Sequence, residues 1–106
     1  MAQKEDFAID IEKFGGTSKF RVKGPVNSTT VNHLEHKLNE SFRDGRNKVV
    51  VNMAQVTFLS SAGIRILLAF YKRAKKEGGS FSIEDPTENV MNVLGMTALD
   101  EMLVKR

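Results

Sequence analysis

A single α/β domain, with a mixed β-sheet opened by a hairpin and packed by α-helices, is the fold that three features of the sequence predict. Segments in which apolar and polar residues alternate are interleaved with segments of helical periodicity, as in α/β chains. Two alternating segments, residues 7–12 and 19–23, flank Phe14-Gly15-Gly16-Thr17-Ser18. They read as an antiparallel hairpin, so the sheet is mixed rather than wholly parallel. The run Val49-Val50-Val51 is stiff at χ1 and suits a strand buried on both faces.

The elements follow in order. In the hairpin Phe20 and Val22 face inward, and Gly24-Pro25 is expected to end the second strand. Asn27, Ser28, Thr29 and Thr30 are candidate N-caps for a helix to about Arg43, with Val31, Leu34, Leu38 and Phe42 as its core stripe and Asp44-Gly45 as its stop. Residues 48–59 form the next strand. Ser60-Ser61-Ala62-Gly63 is a polar turn into a longer helix from about Ser61 to Glu77, with Ile64, Leu67, Leu68, Tyr71 and Ala74 on its apolar stripe and Gly78-Gly79 closing it. Residues 80–84 alternate as a further strand. Asp85-Pro86-Thr87-Glu88 predicts a helix with Asp85 as N-cap, Pro86 at N1 and Glu88 reaching back. Val90, Met91 and Leu94 pack that helix and Gly95 ends it; residues 96–101 are a turn or short helix, and residues 102–104 a terminal strand or tail.

Bulk properties bound the function. A chain of 106 residues, 41% hydrophobic and 27% charged, is one globular domain over 1–106 with room for a modest core. No apolar run approaches a membrane span, and Met1-Ala2-Gln3-Lys4-Glu5-Asp6 has no signal-peptide core, so a cytoplasmic protein with no membrane partner is expected. The absence of cysteine excludes a disulfide framework and thiolate chemistry. A net charge of +3 permits a nucleic-acid partner without arguing for one.

Four groups of residues invite a chemical reading. His33 and His36, at i and i+3, could share a metal, but the sequence places no third ligand and they read as polar helix residues. Lys72-Arg73-Ala74-Lys75-Lys76 beside Tyr71 could be a nucleic-acid patch; cations at a helix C-terminus complement the dipole, and no aromatic platform or binding motif accompanies them. Asp85 and Glu88 could be an acid–base pair, yet capping accounts for both. Ser60 and Ser61 are the strongest candidates. They sit where a strand hands over to a helix, and the N–H groups and dipole of such a helix start favour an anion. A nucleophilic serine needs a positioned base, and neither the Gly-x-Ser-x-Gly elbow nor a Gly-x-x-x-x-Gly-Lys-Ser/Thr loop is present. A non-enzymatic protein without a cofactor follows.

The residues Val49-Val50-Val51-Asn52, Val56, Phe58-Leu59-Ser60-Ser61-Ala62-Gly63-Ile64 and Gly78-Gly79 resemble the STAS domains of bacterial anti-sigma factor antagonists. Gly24-Pro25-Val26-Asn27 is similar to the family's Gly-x-Leu-Asp turn, and Leu94-Gly95-Met96-Thr97-Ala98-Leu99 to its late turn. The resemblance implies a phosphorylation-switched binding module. Its acceptor would be Ser61, with Asn27, Ser60, Ser61, Ala62, Gly63 and Arg65 at the partner surface. The partners implied are an anti-sigma factor that is itself a serine kinase, and a phosphatase acting on phosphorylated Ser61. A STAS module serving another partner-switching system is the alternative. Ser60 stands where the family carries Asp, and Asn27 replaces the Asp of the earlier turn. Family members commonly continue with one more helix, whose absence here would expose an apolar surface.

Overall fold

The computed structural model describes residues 7–97, 99, 103 and 104; the expectations for residues 1–6, and those for 98, 100–102, 105 and 106, lie outside that set. Strand β1 (Ala8–Phe14) turns at Gly15-Gly16 into β2 (Thr17–Val26), followed by α1 (Val31–Arg43), β3 (Lys48–Leu59), α2 (Ser61–Lys76), β4 (Ser80–Glu84) and α3 (Glu88–Met96). The sheet runs β1-β2-β3-β4, antiparallel in its first pair and parallel in the other two. It is therefore mixed and opened by a hairpin, as the sequence predicts.

Consecutive strand order decides where the helices lie. Parallel crossovers are almost always right-handed, so two of them stepping the same way across a sheet leave both helices on one face. Here α1 and α2 touch: the Phe42 and Phe70 rings are 5.5 Å apart, and Arg73 donates from Nη1 to Asn39 Oδ1 at 2.8 Å. The same guanidinium lies 4.7 Å from the centre of the Phe42 ring and donates from Nε to Glu77. Under the helices sit Phe20, Val22, Val49, Val51, Phe81 and Ile83. Among the described residues the other face is free of helices. Val50 consequently is only half-buried, so the valine run is covered on one face and not on both. That face carries a row of paired charges, with Arg21 on Glu12 at 2.7 Å and Lys19 on Glu84 at 3.0 Å.

Strand β2 does not end at Gly24-Pro25 but runs on to Val26. Its pairing with β3 shifts register between Arg21 and Lys23 and again between Gly24 and Pro25. A bulge is where a strand tolerates proline, which has no N–H for the ladder, and Gly24 takes φ 95° there without a Cβ clash. The extra residues in β3 change which side chains point inward: Val49, Val51 and Met53, then Val56, then Leu59. They also turn Phe58 outward, half exposed.

The helices show what periodicity does and does not specify. In α1, Val31, Leu34, Leu38 and Phe42 are buried as their spacing predicts. At about 1.5–3 kcal/mol per buried side chain they outweigh any single cap, worth about 1 kcal/mol. Two serines join this core: Ser41 donates to the Arg46 carbonyl at 2.8 Å, so Ser18, 2.8 Å away, donates to Ser41. In α2 the buried line is Gly63, Leu67, Phe70 and Ala74; Ile64, Leu68 and Tyr71 are half-buried flank residues rather than its centre. The helix ends at Lys76, and Gly79 passes so close to Asn47 that a Cβ would lie 2.1 Å from its carbonyl oxygen.

Helix α3 begins later than its sequence predicts. Thr87, not Asp85, is the N-cap, and Asp85 takes φ 51° in the turn before it. The cause is the edge of β3. Strand β4 pairs only with residues 48–52, leaving the later carbonyls of β3 open on that side. Thr87 Oγ1 donates to the Val56 carbonyl at 3.0 Å and accepts from Val90 N, and Asn89 donates to the Thr57 carbonyl at 3.3 Å. The threonine caps a helix and a sheet edge at once. Gly95 stays inside the helix, which ends at Met96; beyond it Leu103 is buried and Val104 bridges to Ile83.

The charged face makes one pH-dependent contribution. Hydrogen bonds from Asn52 and Lys19 hold the Glu84 carboxyl below its ordinary range. A lowered carboxylate pKa stabilises the fold above the unfolded value, about 4.3, and that contribution is lost as pH falls through the lowered value. With 37% of its side chain exposed, Glu84 is well screened. Glu84→Gln is therefore expected to cost less than about 1 kcal/mol at neutral pH and nothing near pH 2, measured by urea unfolding at both pH values. A cost that grows toward acid would refute the assignment.

Candidate functional site

The last residues of β2 and β3, Val26 and Leu59, form the final register pair, and Ser60 N donates to the Val26 carbonyl at 2.8 Å. The loops leaving both strands therefore start side by side, at the carboxyl ends of parallel strands, where α/β proteins place their sites. One loop opens with Asn27 and the other with Ser60.

The Asn27 loop is closed on itself. Asn27 Oδ1 accepts from Thr29 N at 2.9 Å and Thr30 N at 3.2 Å, and its carbonyl accepts from Val31 N at 2.8 Å. Thr30 Oγ1 accepts from Asn27 N and donates to the Pro25 carbonyl at 2.7 Å. Thr30 holds the N-cap position of α1 without a side-chain cap; Asn27, among the four candidates, supplies the acceptor. Asn27 thus shapes the loop, while Ser28 and Thr29 are exposed beside it.

The two serines are not equivalent. Ser60 is the N-cap of α2, with φ −85° and ψ 170°, and its Oγ accepts from Gly63 N at 3.2 Å. Its carbonyl takes Ile64 N at 2.9 Å, the first bond of the helix. Ser61 is the first helical residue and is exposed; its hydroxyl and the N–H groups of Ser61 and Ala62 have no hydrogen-bond partner among the described residues. No acidic residue lies in the first turn of α1 or α2. The turn thus presents one free hydroxyl at the positive end of a helix. Arg65 is exposed one turn further along α2.

Gly63 explains how the helix gets so close. A Cβ on it would lie 2.7 Å from Leu59 Cδ1 and 2.8 Å from Val26 Cγ1. In the sequence Gly63 reads only as part of a motif, with no sign of this contact. The exposure of Phe58 near the turn is likewise not legible there, because it depends on bulges that leave no pattern in the sequence.

The other candidates stay apart from the turn. His36 contacts Glu40 at 3.2 Å and His33 lies edge-on to Phe7, and neither bonds to Ser60 or Ser61 among the described residues. No group of three His, Cys, Asp or Glu side chains among the described residues could hold a metal ion. A depression of about 110 Å³ lined by Asp10, Arg21, Lys23, Asn52 and Gln55 lies on the helix-free face. No helix among the described residues is long and apolar enough to cross a membrane.

The sequence model of the STAS domain matches residues 8–105. Among relatives, the anti-sigma-B factor antagonist of Bacillus subtilis is 20% identical over 95 residues, 90% of this chain and 86% of that protein. An anti-sigma factor antagonist from Mycobacterium paratuberculosis is similar in structure, with a TM-score of 0.81 and 26% identity over 92% of this chain and 83% of that one. The anti-sigma factor antagonist SpoIIAA in its unphosphorylated form gives a TM-score of 0.81 at 18% identity, covering 93% and 88% of the two chains. Its phosphorylated form, from Bacillus, gives 0.74 at 17%, covering 93% and 91%. At these identities the likeness to SpoIIAA concerns the fold.

Two substitutions test the architecture of the turn. Gly63→Ala gains up to about 1 kcal/mol of helix propensity but overpacks the stiff Val26, a cost of about 1–3 kcal/mol. A net loss of about 1 kcal/mol is expected, seen as a fall in Tm of about 4–8 °C; an unchanged or raised Tm would show that the contact yields freely. Ser60→Ala is expected to cost about 0.5–2 kcal/mol and to speed hydrogen exchange at the Gly63 amide, while Ser61→Ala leaves that amide unchanged.

Proposed function

The chain belongs to the STAS domain family, and we propose from this premise that it is an anti-sigma factor antagonist switched by phosphorylation of Ser61. One observation carries the reading: of two adjacent serines, Ser60 is committed to capping while the Ser61 hydroxyl is exposed and free. The resemblance of the turn to the family's phospho-acceptor motif points to the same residue. SpoIIAA, whose fold this chain shares, has been solved in a phosphorylated and an unphosphorylated form.

In this reading the partner is an anti-sigma factor that is also a serine kinase. The unmodified turn and the first part of α2 dock on it, and it lets its sigma factor go. Ser61, Arg65 and Ala62 meet the partner, while Asn27, Ser60 and Gly63 hold the turn in shape. Phosphorylation adds about 1.5–2 negative charges at the middle of that surface. The helix end accommodates them, because its free N–H groups and dipole favour an anion, so the fold survives. The interface does not: a like-charge or desolvated contact costs several kcal/mol, and each ~1.4 kcal/mol is tenfold in affinity. A phosphatase acting on phosphorylated Ser61 resets the switch. The protein works by binding, not by turnover, and needs no cofactor. Ser60 and Asn27, standing where the motif carries acids, favour one second reading, a STAS module of a partner-switching system outside sigma regulation.

The expected behaviour of two variants tests the proposal. Ser61→Ala should fold, resist the kinase and retain the partner. Ser61→Asp should fold yet bind at least tenfold more weakly, a loss of ~1.4 kcal/mol or more, by calorimetry against the purified partner. Equal affinity of Ser61→Asp and the parent would remove the switch from this residue. A partner that binds no sigma factor would select the second reading.

A further inference from the structure

The solvent-facing ridge of α2 has one sign of charge. Between Ser61 and Lys76 the helix carries Arg65, Lys72, Arg73, Lys75 and Lys76 and not one Asp or Glu. Two of these cations are engaged: Arg73 with Glu77, Asn39 and Phe42, and Lys75 over the Tyr71 ring at 5.7 Å. Arg65, Lys72 and Lys76 are exposed and have no ion-pair partner among the described residues. With Ser61 they lie along one strip, since Arg65 is four residues from Ser61 and Lys72 and Lys76 follow at helical spacing.

Resting on the Ser61 reading, we propose that this ridge docks an acidic protein surface and that Arg65 is the contact phosphorylation moves. In the unmodified chain the Arg65 guanidinium takes a carboxylate of the partner. In the phosphorylated chain it turns to the phosphate on Ser61, one helical turn away. An anion four residues N-terminal to a cation is the better orientation of such a pair, and guanidinium–phosphate bonds are charge-assisted. The modification thus removes the partner's cation from within the same helix, besides lowering the charge of the ridge. A protein surface fits better than nucleic acid, because the ridge carries no exposed aromatic ring on which bases could stack.

The full chain with phosphoserine encoded at position 61 allows a test that does not depend on any kinase. The probe is a twelve-residue Glu-rich peptide, titrated by NMR into four chains: unmodified, phosphorylated, Arg65→Gln, and phosphorylated Arg65→Gln. Phosphorylation and Arg65→Gln should each weaken the peptide by about threefold or more, and phosphorylation should cost less once Arg65 is gone. The Arg65 Nε–H signal should shift on phosphorylation and return in high salt. An unmoved Nε–H signal, or binding indifferent to Arg65→Gln, overturns the proposal. So does a DNA duplex that outcompetes the peptide, which would give the ridge to nucleic acid. Equal losses with and without Arg65 sink the role of Arg65 while leaving the Ser61 switch intact. Failure of the switch itself would be read separately, from Ser61→Asp and the purified partner.

Discussion

The close approach of α2 to the end of β2 is the contact on which the serine turn depends. Gly63 lies against Val26 and Leu59 with no room for a side chain. That approach lets Ser60 N reach the Val26 carbonyl, and it fixes Ser60 rather than Ser61 as the residue that caps the helix. The free hydroxyl of Ser61 is therefore a result of packing two residues further on. A motif of small residues reads as flexible in a sequence; here smallness serves contact.

The rest of the fold arranges what surrounds that contact. Consecutive parallel strands joined by crossovers of one hand place α1 and α2 on one face and start both helices at one edge of the sheet. The first turns of both lack acidic residues, so nothing in them offsets the positive ends of the two helix dipoles. On the helix-free face Arg21 pairs with Glu12 and Lys19 with Glu84. On the ridge of α2, Arg65, Lys72 and Lys76 have no such partner among the described residues and no acidic residue beside them on the helix. That is why the ridge is the surface proposed to meet an acidic partner.

Much of this was legible in the sequence, and the misses share causes. The hairpin, the parallel strands, the α1 stripe and the Ser60-Ser61 turn follow from periodicity and capping chemistry, which are local. The valine run reads as buried on both faces because the pattern of a single strand does not say which crossovers cover it. Ile64, Leu68 and Tyr71 have the spacing of a core stripe but lie to one side of it, since Phe70 is drawn to Phe42 on the neighbouring helix. Asp85-Pro86 has the composition of a helix start, but Thr87 wins because the open carbonyl of Val56, thirty-one residues away, needs its hydroxyl. Gly24-Pro25 reads as a stop until a bulge absorbs it. Apart from the valine run, each miss is a long-range contact overriding a local preference. At the site, the sequence located the turn and both serines; which of them is free was decided by the geometry of the cap.

The proposed switch requires the division of labour between those two hydroxyls. Site-resolved mass spectrometry of the chain isolated from its own cells, with peptides cut so that residues 60 and 61 are fragmented apart, measures it. Phosphate on Ser61 and an unmodified Ser60 are the expected result. Phosphate on Ser60, or on neither serine while the chain is bound to its partner and released from it, would contradict it.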